Sequence, residues 1–329
     1  MSAPMMTREL KGAPLKIAVL GGTGFVGHAM VERLVADGHD VTVISRNHAR
    51  HLDRQLPQDA TIRDCDEYDG AALAHALRGS DVAINLVGIL NETGGFGRND
   101  SGRGFARAHV ELTRTLIAAC RDANVPRLLQ MSALNAGRGR SHYLRTRGEA
   151  EDLVKASGLA WTIFQPSVIF GPGDGLFCRF AALLEVAPVL PLARASSQFA
   201  PVHIGDVVEA FVRALADEAT VHQCYELYGP DVVTLAQIVR MTAQQLGLRR
   251  PIVPLPDAFG RIQAFVMDFV PGKPFSSDNY RSLLTDSVGG IDGLHRLGIV
   301  PTRIASILPD ILGHDENRQA RLDRYRAQY

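Results

Sequence analysis

The segment that decides the fold is VLGGTGFVGHAM, Val19–Met30, in which Gly21, Gly24 and Gly27 recur every three residues. Just upstream, LKIAVL (Leu15–Leu20) is a short apolar run of the kind that forms a buried strand. Downstream, Gly24–Gly38 sets Val26, Met30, Val31, Leu34 and Val35 at helical spacing, and Gly38 ends the pattern. A glycine turn between a strand and an amphipathic helix suits one demanding task. The first glycine allows a tight turn, the second lets the backbone approach a pyrophosphate, and the third lets helix and strand pack closely. Free N–H groups at the helix start then attract phosphate. Gly21, Thr23, Gly24, Phe25, Val26 and Gly27 are therefore the predicted contacts of a dinucleotide.

Outward from this turn, apolar strands and helices alternate. Strands are predicted at His39–Arg46, Ala60–Cys65, Asp81–Gly88, Arg127–Leu134 and Ala160–Gly171. Helices are predicted at Gly70–Gly79, Phe105–Val125 and Tyr143–Ser157. This order predicts an α/β protein, a Rossmann-type doubly wound parallel sheet with right-handed crossovers. It fades after Pro172, where helical stretches such as Asp206–Ala216 and Leu235–Leu246 stand among prolines. The expected organisation is an N-terminal extension (1–14), a dinucleotide-binding core (15–171) and a smaller mixed C-terminal lobe (172–329) with segments returning to the core. Asp206 is expected to cap the helix that rejoins the core.

Composition narrows the classes of function. Lys+Arg and Asp+Glu number 35 each in 329 residues, and a net charge of zero argues against a nucleic-acid binder. The four cysteines are scattered without a C-x-x-C pair, so no metal or redox site is predicted. The N-terminus does not read as a secretory signal, and no run is long and apolar enough for a transmembrane helix. The expected location is the cytoplasm, with room for peripheral attachment at the inner face of a membrane.

The tip of the second strand should select the nucleotide. An acid there holds the ribose 2′-OH of NAD, whereas an arginine accommodates the 2′-phosphate of NADP. The chain reads VISRNHAR, with Arg46 at the tip, Arg50 and His51 close behind, and no acid before Asp53. NADP(H) is expected over NAD(H). Asp64, after the third strand, either meets the adenine edge or makes a local backbone bond. Leu86, Val87 and Gly88 end the fourth strand at the carboxyl edge, where open α/β sheets bind ligands.

GGTGFVG, NLVG, MSA, YLRTR, PSVIFGPGD and FAPVHIGDVVEA follow one another at fitting distances. Together they resemble the atypical and extended short-chain dehydrogenase/reductases of the NAD-dependent epimerase/dehydratase superfamily. The likeness covers roughly residues 15–310 and is strongest to the branch of the NADPH-binding accessory subunit of respiratory complex I and its bacterial relatives. The resemblance implies an NADP(H)-binding protein and, as partner, a respiratory or quinone-linked membrane assembly. It also implies that Pro166, Ser167 and Val168 line the nicotinamide end, unless this segment is only the turn required by Pro172 and Gly173.

In catalytic members of that family a tyrosine works with a lysine four residues later and an upstream Ser/Thr. The resemblance carries these roles to Tyr143, Arg147 and Ser132, and puts His109 where a helix asparagine is usual. Tyr143 and Arg147 in SHYLRTRGEAED stand four apart, on one face of a helix. Arginine keeps the charge that favours a tyrosinate but is a poor proton relay, and its planar fork differs from a compact ammonium. Ser132 at a strand end also has a plain structural use, bonding backbone, and a lone helix histidine is usually structural.

Three readings follow: a nucleotide-holding accessory protein with weak or no turnover; an active NADPH-dependent reductase or epimerase/dehydratase with Tyr143 as acid/base; and, more weakly, a nucleotide-sensing regulator. Two further segments concern partners. Asn91–Gly104 is a long glycine-rich loop where a substrate lid would sit. Asp257–Phe275 spaces Phe259, Ile262, Phe265, Val266 and Phe269 at near-helical intervals. Its simpler expectation is the core face of the small lobe; the alternative is a surface for a membrane or partner.

Overall fold

A computed structural model describes residues 13–46, 56–92, 102–270 and 275–313. The first half alternates as predicted: β1 (Lys16–Leu20), α1 (Phe25–Ala36), β2 (Asp40–Ser45), β3 (Thr61–Asp64), α2 (Gly70–Leu77) and β4 (Val82–Asn85). A long helix follows, composed of α3 (Arg103–Phe105), a π-helical turn (Ala106–Glu111) and α4 (Leu112–Asp122). Next come β5 (Arg127–Met131), α5 (His142–Lys155), β6 (Ala160–Pro166) and β7 (Ile169–Phe170). The single strand predicted over Ala160–Gly171 is thus two short ones.

The second half holds α6 (Phe177–Val186), β8 (Leu190–Ala193), β9 (Gln198–Phe199), β10 (Val202–His203), α7 (Ile204–Ala216), β11 (Gln223–Leu227), β12 (Val233–Thr234) and α8 (Leu235–Gln245). It ends with β13 (Ile252–Leu255), α9 (Asp257–Met267), α10 (Ser277–Ser282), α11 (Gly293–Arg296) and α12 (Ile304–Leu312).

Seven strands form one parallel sheet in the order β11-β6-β5-β4-β1-β2-β3. This is the doubly wound arrangement, and the strand order reverses between β1 and β4. Ligands in such sheets bind outside the carboxyl ends at that reversal. The strands read as continuous apolar runs because both faces are covered. One face packs Ile17, Val19, Val43 and Ile84 against α1 and α7, and the other packs Ala18, Leu20, Ala83 and Leu128 against α2 and α4. A separate apolar cluster joins Phe170 and Phe177 to α8 and α12.

Two expectations need correction. Asp206 does not cap α7. His203 does, accepting from the Gly205 N–H, while buried Asp206 accepts from the N–H and hydroxyl of Thr302. Nor does Asp257–Phe275 turn its large side chains into a core: Phe259, Ile262, Phe265, Val266 and Phe269 are between 45% and 61% exposed. The helix instead buries its small side, Gly260 and Ala264, with Gly260 against Ala193 and Tyr280. Helical spacing identifies an apolar face without saying what covers it.

Candidate nucleotide site

The glycine turn lies where the fold demands it. Gly21 leaves β1 with φ +77, the left-handed region that glycine enters without strain. Gly24 is the N-cap of α1, and no side chain caps this helix start. Its first-turn N–H groups are thus available to an anion, as a helix N-terminus favours. At Gly27 a side chain would run into the Gly21 carbonyl oxygen, so α1 can sit this close to β1 only without a Cβ. Thr23, Phe25 and Val26 complete the turn, half-buried, beside the reversal of strand order.

Three segments close the site's edges. After β4, the Asn85 side chain accepts from the Val87 N–H and donates to Gln130, which fixes the exit of Leu86, Val87 and Gly88. Arg46 directly follows β2, its side chain 60% exposed, with Nε 3.6 Å from Glu67 Oε2. Burial pushes the Glu67 carboxyl up, and the Arg46 charge opposes that. Tyr68 next to it lies between two cations: the Arg46 guanidinium is 5.9 Å from its ring centre and that of Arg107 is 4.4 Å. Arg107 and Tyr68 escape a sequence reading because only the packing of α2 beside the long helix joins them. Asp64 ends β3 directly in register with Ser45 of β2. Arg50, His51, Asp53 and most of the 91–104 loop lie outside the described residues.

At the other end of the site, Tyr143 and Arg147 share one face of α5. Arg147 Cζ is 5.6 Å from the Tyr143 ring centre. The guanidinium is buried, and its Nη1 donates to the carbonyls of Met131 (3.1 Å) and Val87 (3.3 Å). It lies so close to Gly88 that a side chain there would collide with it. Its Nε is buried without a hydrogen-bond partner among the described residues. Tyr143 is half-buried, in edge contact with Phe105 and His109, and its hydroxyl has no partner among the described residues. The start of α5 is held from the C-terminal half: the Asp278 carboxylate accepts from the N–H groups of His142 (2.7 Å) and Tyr143 (3.1 Å).

Ser132 turns elsewhere. Its hydroxyl donates to buried Glu151 at 2.6 Å, a carboxylate that also receives Gln165 and Lys155. Of the nicotinamide-side positions, Pro166 ends β6, Ser167 donates to the Ser287 carbonyl, and Val168 packs with the C-terminal cluster. Among the described residues no group of His, Cys, Asp and Glu is gathered to hold a metal.

His109 is buried in the π-helical turn. Its Nε2 accepts from the Ile89 N–H, so Nδ1 carries the proton and donates to Thr146 Oγ1 at 2.8 Å. Burial, reinforced by the Arg147 charge, lowers its pKa from 6.5 to about 2. The unfolded chain takes up this proton below pH 6.5 and the folded chain does not, so stability is full above 6.5 and falls on acidification. Between pH 6 and 5 His109 should cost about 1.2 kcal/mol. Urea midpoints at the two pH values should shift less in His109→Asn; equal shifts would contradict a buried neutral ring.

Residues 21–175 match the NAD(P)H-binding family. The chain is 28% identical over 305 residues to the mitochondrial NADH dehydrogenase [ubiquinone] 1 alpha subcomplex subunit 9 of Arabidopsis thaliana, across 87% of this chain and 74% of that one. It is 27% identical over 249 residues to a ceramide reductase of Caulobacter vibrioides, covering 73% of this chain and 74% of that one. A solved NADPH-dependent quinone oxidoreductase from Escherichia coli, complexed with NADPH, has the same fold at a TM-score of 0.70 and 23% identity, covering 90% of this chain and 99% of that one. The chain is an NAD(P)-binding Rossmann protein. In sequence it is similar to the mitochondrial NADH dehydrogenase subunit over most of its length.

Proposed function

We propose that this protein holds NADP(H) as an accessory component of a respiratory or quinone-linked membrane assembly, at the inner face of the membrane, with weak or no turnover. The observation that carries this reading is the commitment of Arg147. A cation at this position of a working enzyme holds the ribose and lowers the pKa of the tyrosine. Here two of its hydrogen bonds go to the Val87 and Met131 carbonyls, tying α5 to the ends of β4 and β5. The Ser132 hydroxyl is likewise given to Glu151. The relative that is a mitochondrial NADH dehydrogenase subunit supports the setting.

The residues fit the nucleotide. The uncapped start of α1 and the glycine turn would hold the pyrophosphate, with Asp64 at the adenine edge. Arg46, joined by Arg107, would hold a 2′-phosphate, and Leu86, Val87, Gly88, Pro166 and Val168 would line the nicotinamide side. When bound, the nicotinamide supplies a hydride. Among the described residues at this end of the site, Tyr143 is the group placed to move a proton at a substrate oxygen. Its unpartnered hydroxyl and the ceramide reductase among the relatives favour a second reading, an active NADPH-dependent reductase or epimerase/dehydratase.

Thermal shift separates the cofactors, because a ligand that binds the native state raises the melting temperature. NADPH is expected to stabilise more than NADH. Arg46→Ala should weaken NADPH roughly tenfold, the loss of one charge-assisted contact, and leave NADH unchanged. Equal stabilisation by both nucleotides in the unmodified protein would overturn the NADP(H) preference.

A further inference from the structure

Helix α9 presents an apolar stripe to its surroundings. Phe259, Ile262, Phe265, Val266 and Phe269 project outward, and Val270, just past the helix, is 37% exposed. The Phe265 and Phe269 rings meet edge to face at 5.4 Å, so the stripe is continuous. Exposed Val253 extends it onto β13, which leads into the helix. Contiguous apolar surface of this kind marks an interaction site.

The charges around the stripe decide what covers it. The acids of α9 and its C-cap are both engaged: Asp257 pairs with Arg194 at 3.1 Å, and buried Asp268 accepts from the N–H and hydroxyl of Ser277. Arg261 is exposed on the same helix, and exposed Arg249 precedes β13; neither has a carboxylate at ion-pair distance among the described residues. An apolar face that carries an exposed arginine on its own helix, with the neighbouring acids already engaged, complements an anionic lipid surface. A second copy of the chain would instead bring like charges together. The helix has 11 residues, about 16 Å at 1.5 Å per residue, half the roughly 30 Å of a bilayer core, so it can lie in the interface but not cross it.

We propose that α9 docks this protein on an anionic bilayer with the phenylalanine stripe inserted among the acyl chains. The inference rests on the membrane-side reading above and names the surface responsible. Docking would engage the element next to the site, because α9 packs on α10, whose Asp278 holds the N–H groups of His142 and Tyr143.

The test is co-sedimentation of the full chain with vesicles of phosphatidylcholine, alone or mixed with phosphatidylglycerol. The protein is expected to bind the anionic vesicles at least roughly tenfold better than the neutral ones, and Phe265→Glu/Phe269→Glu to lose that binding. Both side chains are exposed, so the variant should keep its NADPH thermal shift. A variant that binds as well as the parent would overturn the role of α9 and leave the membrane-side reading standing. A parent protein that stays in the supernatant would overturn both. If light scattering found a parent dimer that the variant abolishes, without vesicle binding, the stripe would belong to a second copy and the proposal would fail.

Discussion

Gly27→Ala is expected to cost about 1–3 kcal/mol of unfolding free energy, the usual penalty for forcing a methyl into closed packing. The added carbon would strike the Gly21 carbonyl, a backbone atom that no rotamer change can move away. Relief requires α1 to back off from β1, and that displaces the helix start whose N–H groups would meet a bound pyrophosphate. The second consequence should therefore be loss of the melting-temperature rise with NADPH. Urea unfolding and thermal shift check the two parts separately. An alanine variant with parental stability and full NADPH stabilisation would contradict the packing of this turn.

Arg147→Met is expected to lower the unfolding free energy by roughly 1–3 kcal/mol. Methionine keeps much of the buried stem and removes the donors. The Val87 carbonyl then loses its Arg147 hydrogen bond, while the Met131 carbonyl keeps Gln130. Losing the contact with Tyr143 adds to the cost, and removing the buried, unpartnered Nε offsets part of it. NADPH oxidation with a panel of carbonyls and quinones should stay at the parental baseline. A variant of unchanged stability that loses a measurable parental activity would make Arg147 a catalytic residue. Arg147→Lys supplies the complementary check: a large gain in NADPH oxidation would mean that a working site had been suppressed by this one arginine.

The parts of this molecule legible in the sequence are those fixed over short distances. The glycine turn, its strand and its helix lie within about two dozen residues, and the apolar strands follow from burial on both faces. Tyr143 and Arg147 come together because four residues make one helical turn. What stayed hidden depends on contacts across the chain. Arg107 meets Tyr68 through helix packing, and Asp278 reaches α5 across 135 residues or more. Glu151, which takes the Ser132 hydroxyl, lies on the same helix as Tyr143, yet nothing in its local sequence announces a buried carboxylate. The phenylalanines of α9 advertise an apolar face, and only the packing of Gly260 and Ala264 shows that it points outward.

The most direct measurement is the identity and amount of nucleotide released, on denaturation, from protein purified without added cofactor. NADP(H) retained at close to one molecule per chain, and not consumed by the carbonyl and quinone panel before denaturation, is the result predicted here. Release of NAD(H), or a nucleotide-free protein whose melting temperature NADPH does not raise, would contradict it.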